Sequence, residues 1–145
     1  MITNEVQRRS TEAHLRQFDD ALANLEANHG KKRSKLAQLE IDAVRSQAED
    51  LRNQIDEYDR LRSGAVSTFE AASLEELATM LIQARIARGW SQRDLADALG
   101  VAEQQIQRYE STGYRAASLA RISDVANAIN ITITERGSLR GPDAA

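Results

Sequence analysis

At 145 residues the chain has room for one ordinary domain or two small ones, and its lack of cysteine excludes disulfides and thiolate metal sites. A charged fraction of 28%, 4% aromatics and a single proline (Pro142) favour long helices over a sheet-rich fold. No signal-peptide pattern or long apolar run is present, so the expected location is a reducing cytoplasm; the net charge of −3 argues against strong electrostatic binding to an acidic polymer.

Residues 1–62 are almost free of helix breakers. Leu15, Phe18, Leu22 and Leu25 recur at steps of three and four, as do Ala37, Ile41, Val44, Ala48, Leu51, Ile55 and Tyr58. The second run is a heptad seam of the coiled-coil kind. Between the two runs, Gly30 suits a helix C′ position, Lys31, Lys32 and Arg33 suit a helix C-terminus, and Ser34 suits an N-cap. The pattern predicts helices over 5–28 and 34–62, about 36 and 43 Å long, folded as an antiparallel coiled-coil hairpin. One continuous helix is the alternative, at a cost of about 1 kcal/mol for the interior glycine. His14 and His29 have no evident partner and read as solvated helix residues.

Pairing the hairpin about its turn sets Leu25 against Ala37, Leu22 against Ile41, Phe18 against Val44 and Leu15 against Ala48. Beyond these, Leu51 and Ile55 face Thr11 and Arg8, so the distal seam of Leu51, Ile55 and Tyr58 lacks apolar partners inside the hairpin. Burying each is worth about 1.5–3 kcal/mol, so this distal seam predicts a covering surface. Three remain open: the chain's own C-terminal part, a second protomer, or another protein. Leu51, Ile55 and Tyr58 are therefore the candidate oligomer or partner interface.

Residues 63–73 break the periodicity and read as a linker. Ser73 with Glu76 makes a capping box, and Leu77, Leu81, Ile82 and Ile86 line the helix that follows, closed by Gly89. Two short helical patterns then meet at Gly100. Ser91 is the candidate N-cap of the first, whose apolar face is Leu95, Ala96 and Leu99. Val101 plugs the corner, and the second helix turns Ala102, Ile106 and Tyr109 inward. Two helices joined by a short glycine-containing turn form the helix-turn-helix pattern. A further helix starts at Ser118 and ends near Ile129. Residues 131–134 alternate as a short strand would, either paired with a symmetry mate or serving as an extended tail that packs two isoleucines. The tail 135–145 is expected to be disordered.

Residues 74–129 resemble the lambda repressor/Cro (XRE) family of DNA-binding domains. The resemblance is carried by Gln92, Leu95, Ala96, Leu99, Gly100, Val101, Ile106, Tyr109 and Glu110, with Leu119, Ile122, Val125, Ala126 and Ile129 at the positions of the next helix. The stretch after Glu110 is one residue longer than the family's usual turn and lacks its proline. The fold expected is all-α: a hairpin over 1–62, a linker over 63–73 and a lambda-repressor-like bundle over 74–134, with or without the short strand.

Helix 102–109 would then enter the major groove of double-stranded DNA with Gln104 and Arg108 most outward and Glu103, Gln105 and Gln107 beside them. Glutamine pairs with adenine, arginine with guanine, and glutamate accepts from cytosine. The resemblance implies a phosphate contact for Gln92, with Arg93 and Arg115 as further phosphate candidates. Basic charge does gather here: residues 85–121 hold six arginines against four acids. The function expected is a repressor that dimerises on an inverted-repeat operator, in one form an antitoxin that controls its own operon and holds a toxin. The competing reading is an interaction module whose hairpin does the work. No cofactor and no enzymatic constellation is implied.

Overall fold

A computed structural model describes residues 1–29 and 34–141. Six helices follow in order: α1 (Glu5–His29), α2 (Lys35–Arg62), α3 (Leu74–Ala87), α4 (Gln92–Leu99), α5 (Glu103–Ser111) and α6 (Leu119–Ala128). Among the described residues there is no strand, and no helix is long and apolar enough to cross a membrane.

Most of these helices begin where a short polar side chain can take an orphan amide. Asn4 Oδ1 accepts from Gln7 N (2.9 Å) at the start of α1, and Ser34 Oγ accepts from Ala37 N (3.1 Å) at the start of α2. Ser73, Ser91 and Ser118 do the same for α3, α4 and α6. The expected box at Ser73 is displaced by one residue, because the Glu76 carboxylate accepts from Ala72 N (2.7 Å). The expected turn glycine, Gly30, and the basic cluster after it lie outside the described residues.

α1 and α2 pack as the antiparallel hairpin. Ala37, Ile41 and Ala48 are buried, and Leu15, Phe18, Leu22, Leu25 and Val44 are half-buried along the same seam. Cross-hairpin ion pairs flank it: Arg45 with Glu26 (2.9 Å), Arg52 with Asp19 (3.1 Å) and Arg8 with Asp59 (2.8 Å). Arg8 holds the Asp59 carboxyl below its ordinary range through this bond.

The distal seam is covered by the chain itself. Ile55, Tyr58 and Leu61 share one core with Ala78, Leu81, Ile82 and Ile86 of α3, and with Leu95, Ile106, Val125 and Ile129 beyond it. Leu61 is 1% exposed; Leu51 is half-buried. Ile55 and Tyr58 are thus core residues rather than an oligomer or partner surface: the apolar face that lacked partners inside the hairpin finds them on α3. This explains the composition of α3, where Leu77, Ala78, Met80, Leu81, Ile82, Ala84 and Ile86 are all buried. A helix apolar nearly all round is one enclosed on most sides.

Residues 63–73 are not a free tether either, since Val66 and Phe69 pack against the same core. Residues 131–134 form no strand. Ile131 and Ile133 instead lie half-buried on the core as an extended tail, and Arg88 fixes its start by donating to Ile129 O and Asn130 O (3.0 Å each). Alternating β-branched residues need a partner strand to pair with, and none is at hand among the described residues.

Candidate nucleic-acid interface

The corner between α4 and α5 is built by local geometry. Ser91 Oγ accepts from Asp94 N (3.1 Å) and the Asp94 carboxylate accepts from Ser91 N (2.7 Å), a reciprocal capping box. The bond from Ser91 N, and a second that Ser91 Oγ donates to the same carboxylate (2.8 Å), hold the Asp94 carboxyl below its usual range. At the other end Gly100 sits at φ 67° and ψ 33°, a left-handed position that costs a side-chain-bearing residue about 1–2 kcal/mol. Val101 N then donates back to Ala96 O (3.0 Å), which turns the chain into α5.

α5 divides cleanly by exposure. Ile106 (0% exposed) and Glu110 point in, Tyr109 and Gln105 are half-buried, and Glu103, Gln104, Gln107 and Arg108 are exposed. Gln107 Nε2 reaches Glu103 Oε1 at 3.4 Å. Ala102, expected inward, is exposed as the N-cap residue. After α5 the longer turn closes through Gly113 (φ 61°) and Tyr114 (φ 56°). A tyrosine in that conformation is strained. It is held by burial, by a ring stack on Tyr109 (5.6 Å between centroids) and by a bond from Tyr114 N to Tyr109 O (2.7 Å).

Behind the exposed face lies a buried polar network. Arg85, 2% exposed, donates from Nε and Nη2 to the two carboxylate oxygens of Glu110 (2.6 and 2.9 Å). Its Nη1 donates to Trp90 O (2.7 Å) and its Nη2 also to Thr3 O (2.6 Å). Gln92 Nε2 donates to Glu110 Oε2 (2.7 Å), and Gln92 Oε1 accepts from Asn4 Nδ2 (3.1 Å). One network thus ties α3, α4, α5 and the residues preceding α1. Gln92 is only 4% exposed, so its expected phosphate contact is not open in this arrangement. Its register, at the first position of α4, sets it against Glu110 as readily as toward solvent.

Arg85 is a residue that the sequence reading does not single out, and Glu110 enters that reading only through the resemblance, without a partner. The sequence does carry a signal for them: each stands four residues after a core residue, Leu81 and Ile106, at an inward helical register. Two opposite charges at such positions point to a mutual pair, since a lone buried charge is prohibitive.

The charges elsewhere are arranged unevenly. In the hairpin Arg8, Arg9, Arg16, Arg45, Arg52 and Arg60 each sit within salt-bridge distance of a carboxylate. Around α4 and α5, Arg85 is used internally, Arg88 binds the end of α6, and Arg121 lies 3.7 Å from Asp124. Among the described residues, no carboxylate lies within that distance of Arg93, Arg108 or Arg115, all three exposed. The outward face therefore combines two glutamines, a glutamate and an arginine on α5 with free guanidinium groups on α4 and after α5.

Residues 81–136 match the family model for a helix-turn-helix domain, a DNA-binding regulatory family. The matched stretch runs from within α3 to just beyond the α6 tail and leaves the hairpin outside it. The match falls on the stretch that resembles the lambda repressor/Cro (XRE) family. No curated protein and no solved structure matches the chain.

Proposed function

We propose that this protein is a sequence-specific transcriptional regulator that binds double-stranded DNA through the outer face of α5. The observation that carries the reading is the set Gln104, Gln107 and Arg108, exposed on the second helix of a helix-turn-helix, flanked by the unpaired Arg93 and Arg115. Glutamine and arginine are the side chains that read adenine and guanine from the major groove. Arg93 and Arg115 are the phosphate contacts that position α5. Glu103 accepts from cytosine or braces Gln107, and the half-buried Gln105 contributes at the edge.

A face with so few free cations binds weakly as a single copy, so the protein acts as a pair on an inverted repeat. Because Ile55 and Tyr58 are already covered, a surface other than these two joins the copies. Selection of duplexes from a random-sequence pool by the full chain should enrich an inverted repeat whose half-sites lie about one helical turn apart. Enrichment of a lone half-site would remove the dimer, and no enrichment at all would remove the sequence-specific reading.

The finer form, an antitoxin that also holds a toxin, draws support from the hairpin. Leu36 and Leu39 are 77% and 58% exposed on α2, three residues apart on one face. Apolar side chains grouped in this way suit a protein contact. A stable complex with the product of the adjacent gene, lost on Leu36→Asp, is the expected result; indifference to that change would count against it.

A further inference from the structure

Residues 131–134 carry the pattern of a strand but lack the partner that a strand requires. Ile131 and Ile133 are half-buried on the core and Thr132 and Thr134 are exposed, the alternation of an extended chain with one covered face. The start of the segment is fixed, because Ile131 N donates to Ala126 O (3.0 Å) and Arg88 donates to Ile129 O and Asn130 O. Beyond that point the backbone is unspent. No backbone group of residues 132–141 makes a hydrogen bond to another described residue. Residues 66–71 of the linker make none either, so they do not serve as the missing strand.

Open space lies beside this segment. Thr132 borders a recess of about 410 Å³ shared with Val66 and Phe69, and Thr134 borders one of about 370 Å³ shared with Leu74 and Leu77. Leu74 is 79% exposed, a large apolar side chain left uncovered next to the unpaired backbone. In an extended chain, successive backbone groups point to opposite edges, so those of Thr132 and Thr134 share one edge. The Ile131 amide is used on the other. The threonine edge is therefore the one with both amides free.

The segment is also complementary to itself. Laid antiparallel with Ile133 against the partner's Ile133, Thr132 stands opposite the partner's Thr134, and Thr134 opposite the partner's Thr132. Each threonine pair then exchanges both of its N–H···O bonds. The isoleucines meet on the inner face and the threonines on the outer, and β-branched pairs of this kind favour a ribbon. A two-stranded ribbon is marginal in water, but here the isoleucines give it a face already seated on the core. None of Glu103, Gln104, Gln107 and Arg108 borders either recess, so pairing at this edge leaves the α5 face of both copies open.

We propose that residues 131–134 are the dimerisation strand, pairing along the Thr132–Thr134 edge with the same residues of a second copy. The choice of a second copy rests on the reading of the protein as a pair on DNA. The strand supplies the surface that joins the pair.

Sedimentation equilibrium of the full chain without DNA, over micromolar concentrations, tests the ribbon. The Thr134 amide bonds to nothing within the chain, so Thr134→Pro removes a donor from the ribbon alone. Wild type should follow a monomer–dimer equilibrium. Thr134→Pro should raise the dimer dissociation constant about ten-fold or more, because by symmetry the ribbon loses one bond from each copy. Ser138→Pro, outside the paired residues, should match wild type, and circular dichroism should show all three folded. Where the Thr134 variant does not fold, cysteine locking decides. The chain has no cysteine, so Ile133→Cys should form a disulfide-linked dimer on oxidation, its two copies being directly opposed at about 4.5 Å between Cα atoms. Ser138→Cys, whose copies lie far apart along the ribbon, should not. Wild type that stays monomeric overturns the ribbon and leaves the edge to a strand of another protein. A dimer that survives Thr134→Pro and is not locked by Ile133→Cys overturns it as well. The two readings fail separately: a ribbon dimer that selects no duplex removes only DNA binding, and a monomer that enriches a lone half-site removes only the ribbon.

Discussion

Glu110→Ala is expected to lower the free energy of unfolding by about 3–5 kcal/mol, the cost of leaving a buried guanidinium without its counter-ion. Arg85 is 2% exposed and donates two of its bonds to this carboxylate, and Gln92 Nε2 donates a third bond to it. A small domain is stable by only about 5–15 kcal/mol, so much of the stability is at stake. Denaturant unfolding followed by circular dichroism measures the loss. Glu110→Gln, which keeps hydrogen-bonding capacity but not charge, should fall between wild type and alanine. Replacing both Arg85 and Glu110 with leucine should recover only part of the loss, because Trp90 O, Thr3 O and the Gln92 amide are then left without their partners. A Glu110→Ala chain as stable as wild type would show that the network carries little of the fold.

The second large effect lies in the hairpin, outside the motif. Leu61→Ala should cost about 2–5 kcal/mol, as truncation of a fully buried leucine does. Leu61 is in α2, yet most of the core cluster it belongs to comes from α3 and the helices beyond it. The whole chain should therefore unfold in one transition, shifted as a unit. A fragment spanning 67–145 should lose stability for the same reason, having lost Ile2, Ile55, Tyr58 and Leu61 together. Two separate transitions, with only the first moved by Leu61→Ala, would make the hairpin and the helix-turn-helix independent modules.

What was legible in the sequence was local. The serines at 34, 73, 91 and 118 mark helix starts because the bond each accepts comes from an amide three residues on. Gly100 marks the turn through its own backbone freedom. The heptad seam points to the hairpin, because apolar spacing along a helix is preserved when two helices pair. What sequence could not supply was the identity of the covering surface. Periodicity shows that Ile55 and Tyr58 share an apolar face but not that α3 meets it. The site divides the same way. The exposure of Gln104, Gln107 and Arg108 follows from the inward register of Ile106 and Glu110 on the same short helix. The burial of Gln92 depends on Asn4, 88 residues away, and on Glu110, 18 residues away, and no spacing rule spans those separations.

The central claim, that the outer face of α5 reads bases, is tested most directly by equilibrium binding of wild type, Gln104→Ala and Arg108→Ala to two duplexes, the one selected by wild type and a scrambled version, at about 150 mM salt. Both side chains are exposed and outside the Leu95–Ile106 core, so the variants should fold as wild type does. Each should weaken the selected duplex by about 1–3 kcal/mol and leave the scrambled one nearly unaffected, the signature of a lost base contact. Equal weakening on both duplexes would reassign these residues to phosphate contacts. Wild-type affinity for the selected duplex in both variants would contradict base readout by α5.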